Sequence, residues 1–166
     1  GDDTLISSDG FDIYDGGNGE DILDFYDVGA KVIVDLSAST DKVVNDGYGN
    51  IETSVTNIEN IGGTQGSSNA YTGKGDTIDY RNVTSKITLV LEDNGATTDV
   101  KVGNTTADHT IANIENIYGS NIGNDEITGN NLANSILGFG GDDTIDGGAG
   151  SDYLDGGVVG TNTISF

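Results

Sequence analysis

The residues of this chain that could do chemistry are carboxylates set among glycines. Gly147-Gly148-Ala149-Gly150-Ser151 leads to Asp152 and then to Tyr153-Leu154-Asp155. Just upstream, Gly138-Phe139-Gly140-Gly141-Asp142 leads to Asp143 and then to Thr144-Ile145-Asp146. Near the other end, Gly16-Gly17-Asn18-Gly19-Glu20 leads to Asp21 and then to Ile22-Leu23-Asp24. Glycine admits positive φ and a tight turn that aims backbone carbonyls to one side. The aspartate adds a charged oxygen. Carbonyl and carboxylate oxygens are the ligands of a hard cation, and calcium takes six to eight of them.

These stretches are copies of one nine-residue pattern. Gly123-Asn124-Asp125-Glu126-Ile127 and Gly129-Asn130-Asn131-Leu132-Ala133-Asn134-Ser135-Ile136 keep its frame with looser letters. Gly156-Gly157-Val158-Val159-Gly160-Thr161-Asn162 fits after one inserted residue. Ser7-Ser8-Asp9-Gly10-Phe11-Asp12 carries serines in place of the first two glycines, and Gly1-Asp2-Asp3-Thr4-Leu5 is the tail of a further copy. The apolar residue after the acid keeps step. Leu5, Tyr14 and Leu23 lie nine apart, as do Ile127, Ile136, Ile145 and Leu154. A helix needs apolar recurrence near 3.6 and a plain strand needs 2. A period of nine with glycine clusters predicts a short strand plus a tight turn, repeated. Two units then make one turn of a flattened solenoid with an internal ladder of apolar residues.

In such an arrangement, turns on one edge are two units apart in sequence. One ion can sit between them. Asp3 is expected to share an ion with Asp21, Asp125 with Asp143, Asn134 with Asp152, and Asp143 with Asn162. An asparagine supplies oxygen without charge, so two of these sites are expected to be weaker. Asp12 meets Ala30 at its downstream register, which places its partner upstream of this chain. The expected ligand set is Asp3; Gly10 and Asp12; Gly16, Asn18, Gly19 and Asp21; Gly123 and Asp125; Asn134; Gly138, Gly140, Gly141 and Asp143; Gly147, Ala149, Gly150 and Asp152; and Gly156 with Asn162. About three to five calcium ions, bound at roughly 10⁻⁴ M, are expected for weak extracellular-type sites.

The pattern matches the calcium-binding nonapeptide G-G-x-G-x-D-x-U-x, where U is large and apolar. On these residues the chain resembles the RTX, or haemolysin-type, calcium-binding repeat family. The resemblance covers residues 1–24 and about 119–166. It implies a parallel β-roll, type I secretion from a Gram-negative bacterium, and repeats that fold when they meet calcium outside the cell. Family members include toxins, proteases, lipases, alginate epimerases, S-layer proteins and giant adhesins.

Composition agrees with a cation-dependent chain. Among 166 residues there are 28 acidic and 6 basic ones, a net charge of −22, so the compact state repels itself until counter-charge arrives. Nucleic acid is excluded as a natural partner, because phosphate demands Lys and Arg, and an anionic membrane surface is disfavoured for the same reason. Glycine numbers 27, yet 34% of residues are hydrophobic, enough for an ordered core. With no cysteine there is no disulfide and no zinc–thiolate site. No stretch is long and apolar enough to span a bilayer as a helix.

The middle is a second, longer repeat. Leu23-Asp24-Phe25 matches Ile78-Asp79-Tyr80, and Val32-Ile33-Val34-Asp35-Leu36 matches Ile87-Thr88-Leu89-Val90-Leu91, both at an offset of 55. Asn57-Ile58-Glu59-Asn60-Ile61 matches Asn113-Ile114-Glu115-Asn116-Ile117 at 56. Alternation predicts half-buried strands over 32–36 and 87–91, and Val100-Lys101-Val102 reads as another. These are expected to be coils of the same solenoid with longer loops, such as 38–50 and 92–99. The chain therefore divides into a nonapeptide segment (1–24), a degenerate duplicated β segment (25–118, about 25–77 and 78–118) and a second nonapeptide segment (119–166). The expected fold class is all-β, a parallel β-roll or β-solenoid.

A third period relates the ends. Gly1 to Leu5 restates Gly141 to Ile145, and Leu23-Asp24-Phe25 restates Ile164-Ser165-Phe166. The expectation is a piece cut from a tandem array, with its ends inside repeats. Catalytic sets are not found. His109 is the one histidine, so Ser-His-Asp chemistry and a multi-histidine zinc site have no basis; a surface loop is expected for it. Glu59 and Glu115 could form a glycosidase-type carboxylate pair, but equivalent places in a duplication argue for structure. No glycine-rich loop carries a P-loop lysine. The expected function is a non-enzymatic, calcium-dependent structural module of a large secreted or cell-surface protein, whose partners are neighbouring repeats. The alternatives are a glycan-binding or substrate-positioning accessory module and an end-to-end self-assembling surface-layer unit.

Overall fold

The computed structural model describes residues 1–8, 10–19, 21–25, 28, 32–35, 42–45, 54–56, 58, 60–63, 75–104 and 109–166. Every regular element among them is a strand, and most strands are three residues long. That brevity follows from the period: in nine residues, a tight turn leaves room for little more. In the C-terminal nonapeptides the strands are β13 (Glu126–Thr128), β14 (Ser135–Leu137), β15 (Thr144–Asp146), β16 (Tyr153–Asp155) and β17 (Thr163–Ser165). The middle residue of each is the apolar one. Ile127, Ile136 and Ile145 are fully buried, while Leu154 is half-buried and Ile164 is exposed at the end of the row.

Consecutive nonapeptide strands go to different sheets. β13, β15 and β17 are neighbours in a nine-stranded sheet, and β14 and β16 are neighbours in a six-stranded one. Neighbours run parallel, with Ile127 against Ile145 and Ile136 against Leu154. β1 (Thr4–Ile6) and β3 (Ile22–Asp24) repeat this with Leu5 against Leu23. Each pair is two repeats apart, as the period requires. Ile145 meets Ile164 rather than the residue before it, because the turn after β16 holds one extra residue. Parallel neighbours need a crossover; here the intervening strand of the other sheet provides it. Side chains of both sheets enter one buried cluster that includes Leu23, Val34, Ile78, Ile117 and Ile145.

The remaining strands are β2 (Ile13–Asp15), β4 (Ile33–Asp35), β5 (Lys42–Asn45), β6 (Ser54–Thr56), β7 (Asn60–Gly62), β8 (Thr77–Asp79), β9 (Ile87–Val90), β10 (Thr98–Val102), β11 (His109–Ala112) and β12 (Asn116–Tyr118). The large sheet runs β1-β3-β7-β11-β10-β9-β13-β15-β17, the second runs β16-β14-β12-β8-β4-β5, and β2 pairs with β6.

The middle departs from an all-parallel winding. The expected loop at 92–99 is instead the end of a hairpin: β10 begins at Thr98 and lies antiparallel to both β9 and β11. Its turn is Asp93-Asn94-Gly95-Ala96, with φ of 58° at Asn94 and 74° at Gly95 and a bond from the Ala96 N–H to the Asp93 carbonyl. Two positive φ angles are what a type I′ hairpin turn needs, and Asn-Gly is its preferred pair. The expected loop at 38–50 likewise contains β5, antiparallel to β4; the rest of that span lies outside the described residues, as does Leu36.

The duplication is present with a change of side. β3 and β7 are parallel neighbours in the large sheet, and their counterparts β8 and β12 are parallel neighbours in the other. The hairpin β4–β5 belongs to the second sheet and its counterpart β9–β10 to the first. The 55-residue repeat thus exchanges the sheets.

Candidate metal-binding turns

The residue before each nonapeptide strand sits at a turn, and these residues form rungs. The Asp3 N–H donates to Asp21 Oδ1 at 2.7 Å. The Asp125 N–H donates to Asp143 Oδ1, the Asn134 N–H to Asp152 Oδ1 and the Asp143 N–H to Asn162 Oδ1, each at 2.9 Å. In return, the residue after the second member donates to the first member's carbonyl, as from Thr144 to Asp125 at 2.8 Å and from Tyr153 to Asn134 at 2.8 Å. All four pairs expected from the spacing are therefore adjacent and doubly hydrogen-bonded. The cause is the two-repeat register, which sets equivalent turns directly above one another.

The rungs continue beyond the nonapeptides. Asp125 Oδ1 accepts the Ile87 N–H at 2.7 Å, Asp76 Oδ1 accepts the Val32 N–H at 2.7 Å, and Glu115 Oε2 accepts the Asp76 N–H at 3.0 Å. Asp76 was not singled out from sequence, although a signal exists: Asp76-Thr77-Ile78-Asp79 is the same tetrapeptide as Asp143-Thr144-Ile145-Asp146. The buried Glu115 is part of this rung, in keeping with a structural role; Glu59 lies outside the described residues. A second acid of the repeat does local work. Asp15, Asp146 and Asp155 accept the N–H two residues on, from Gly17, Gly148 and Gly157, at 3.1, 3.0 and 2.8 Å. These are Asx turns, which pin the chain as it leaves each strand.

The glycines make space for the acids and for one another. A Cβ at Gly138 would lie 2.4 Å from Asp143 Oδ2, and one at Gly147 2.6 Å from Asp152 Oδ2. Gly156 holds the same place against Asn162, whose Nδ2 donates to the Gly156 carbonyl at 2.7 Å. Successive turns also touch. A Cβ at Gly141 would be 2.0 Å from the Gly123 carbonyl oxygen, and φ there is 123°, a conformation that suits glycine. A Cβ at Gly140 would lie 2.3 Å from the Asn121 carbonyl oxygen, one at Gly150 2.4 Å from that of Leu132 and one at Gly19 2.3 Å from that of Gly1. Ala149 is tied by its N–H to the Asn130 carbonyl at 3.0 Å, and the Asn18 carbonyl accepts from the Gly1 amine at 2.6 Å.

The electrostatics single out two acids. Asp143 is 1% exposed, and its Oδ2 is buried with no hydrogen-bond partner. Burial raises its carboxyl above the usual range, the bond from the Asp125 N–H opposes this, and the neighbouring Asp142 adds to it. Asp125 is pushed up to about 6, foremost by burial; the N–H groups of Ile87 and Ser120 pull it down and the Asp143 charge raises it. An orphaned, buried carboxylate oxygen suits a hard cation with oxygen ligands and does not suit zinc. Among the described residues no three His, Cys, Asp or Glu side chains gather into a metal-sized group. Side-chain oxygen at these turns comes from the rung residues and from neighbours such as Asn124 and Asp142, whose Oδ1 atoms accept the Asp142 and Thr161 N–H groups at 2.9 and 2.7 Å.

Two residues are placed differently from expectation. β2, which follows Gly10 and Asp12, pairs with the downstream strand β6 in the register Tyr14 to Val55, whereas the spacing predicts a partner for Asp12 upstream of this chain; Ala30 lies outside the described residues. Asp12 Oδ2 accepts from the Ser8 hydroxyl at 2.7 Å and the Tyr14 hydroxyl at 3.2 Å. His109 opens β11 rather than sitting in a surface loop. It is half-buried, stacked on Tyr80 and bonded through Nε2 to the Tyr80 hydroxyl at 2.7 Å.

These rungs and turns define an all-β chain of mostly parallel strands with carboxylates stacked along its turns. No protein-family model, curated protein or solved structure matches it.

Proposed function

We propose that the chain is a calcium-binding β-roll, a structural repeat module of a large secreted or cell-surface protein that folds when calcium arrives. The observation that carries this is the buried, unpartnered Oδ2 of Asp143 in a turn whose neighbours are stacked at two-repeat spacing. A chain of net charge −22 gains in two ways from such an ion. The ion offsets carboxylate repulsion, and it supplies the ligand that the orphaned oxygen lacks. Because the turns assemble only in the wound chain, binding free energy is folding free energy. Asp143, Asp152, Asp21 and the carbonyls of their turns would hold the metal, and its chemistry there is charge neutralisation and cross-linking of turns. The chain is read as a non-enzyme.

The test is far-UV circular dichroism with calcium titrated against EDTA. A cooperative rise of β signal with calcium, absent with magnesium, is expected. A chain equally β-rich in excess EDTA rules the proposal out.

A further inference from the structure

The turns are of two kinds, and the difference falls on the second oxygen of the rung residue. At 16–21, 138–143, 147–152 and 156–162 the second turn residue has positive φ: 87° at Gly17, 68° at Phe139, 80° at Gly148 and 84° at Gly157. A non-glycine residue such as Phe139 adopts this region at a cost. The fourth or fifth residue is also left-handed, at Gly19, Gly141, Gly150 and Gly160. At 119–125 and 129–134 no residue is in that region. There the second turn residue, Ser120 or Asn130, turns its N–H onto its own rung residue. Ser120 donates to Asp125 Oδ2 at 2.7 Å, and Asn130 donates to Asn134 Oδ1 at 2.9 Å.

The closed turns are satisfied by protein alone. Asp125 accepts the Ile87 N–H on Oδ1 and the Ser120 N–H on Oδ2, and the buried Ser120 hydroxyl lies 3.1 and 3.3 Å from its two oxygens. That hydroxyl in turn accepts the Gly123 N–H at 2.7 Å. Asn134 accepts from Asn130 and donates Nδ2 to the Glu115 carbonyl at 3.2 Å. Asp143, in an open turn, has one donor on Oδ1 and an orphan Oδ2.

We infer that the turns at Asp125 and Asn134 are protein-satisfied end caps, Ser120 and Asn130 being their closing residues, and that calcium is held by the open turns at Asp21, Asp143 and Asp152, while Asn162 closes its own turn by donating to the Gly156 carbonyl. The nonapeptide frame alone makes no such division, since it scores Asp125 and Asp143 alike. The inference rests on the calcium reading and refines it. Caps of this kind let a cation-dependent stack begin on the cation-independent strands β9 and β12.

The experiment counts ions by equilibrium dialysis at saturating calcium on the full chain, with circular dichroism confirming the fold. D125N is expected to bind as many ions as the wild type, whereas D143N binds one fewer. Loss of an ion from D125N overturns the inference. Should D125N not fold, Ser120→Gly decides: it removes the hydroxyl and frees the backbone for positive φ while keeping the carboxylate, so the count is expected to rise by one. An unchanged count in that variant overturns the inference as well. A wild type that binds no calcium refutes the parent proposal instead, so the two failures are told apart.

Discussion

Replacing Asp143 by asparagine should act in opposite directions with and without calcium. In the metal-free chain, asparagine keeps Oδ1 for the Asp125 N–H, a bond of 2.9 Å. It removes a buried charge whose second oxygen has no partner. The new amide has an acceptor ready, because Asn162 at the equivalent place donates to the Gly156 carbonyl and Gly138 occupies the same position relative to Asp143. Relief of an unsatisfied buried group and one new neutral hydrogen bond together stabilise the metal-free fold by about 1–2 kcal/mol. With calcium, a charged ligand is lost, and the calcium midpoint should rise at least about tenfold, worth about 1.4 kcal/mol. The assay is far-UV circular dichroism of D143N and wild type, once in EDTA with an excluded osmolyte added to drive folding, and once against calcium. D143N should fold at lower osmolyte and higher calcium. If both midpoints move in the same sense, or the calcium midpoint stays put, Asp143 is not a ligand and the orphan oxygen has been misread.

Acid should partly replace calcium. The carboxyls of Asp125 and Asp143 are raised on folding, so their contribution is fully present below the unfolded value near 3.8 and is lost as pH climbs through about 6 for Asp125. That one group accounts for at most about 3 kcal/mol, and the metal-free chain should gain β signal between pH 7 and pH 5 in EDTA. Gly138→Ala places a methyl against Asp143 Oδ2 and should weaken calcium-dependent folding by about 2 kcal/mol, measured as a shifted calcium midpoint. Gly95→Val puts a β-branched residue at φ of 74° and against the Asn113 side chain. Its cost of about 2 kcal/mol should appear as a lowered melting temperature in saturating calcium, with the number of bound ions unchanged.

What the sequence made legible is what the period controls. Leu5 opposite Leu23, Ile127 opposite Ile145 and Ile136 opposite Leu154 all follow from counting eighteen residues. So do three of the four acid and amide rungs, while the fourth, Asp143 to Asn162, is nineteen apart because of the inserted residue. What was harder to read depends on connectors and on contacts distant in sequence. Asn94-Gly95 is a hairpin signal in its own right, but the coil-like pattern on either side of it predicts a loop. The sheet exchange between β3–β7 and β8–β12 has no letter in the sequence. It depends on how many strands the chain lays down between the two copies. The Tyr80–His109 bond joins residues 29 apart, and neither period links them. Phe25, the counterpart of Tyr80, has no hydroxyl, so the duplication gives no hint of the bond.

The same rung serves both kinds of repeat, and this bears on why the two occur in one chain. In every case a backbone N–H at the start of a strand meets a side-chain oxygen from the neighbouring turn, whether the acceptor is Asp21, Asp76, Glu115, Asp143 or Asp152. That bond needs no metal, so it sets register by itself. The nonapeptide turn differs in what it leaves undone. Its glycines bring neighbouring carbonyls to within a methyl's reach and leave the second oxygen of Asp143 without a hydrogen-bond partner. On its own that defect destabilises the turn, since an unmatched buried charge is costly. It becomes an advantage when a divalent ion completes the shell. On the proposed reading the nonapeptide stretches would carry the calcium dependence, while the hairpin-bearing middle carries apolar core through Ile78, Leu89, Val100 and Ile117.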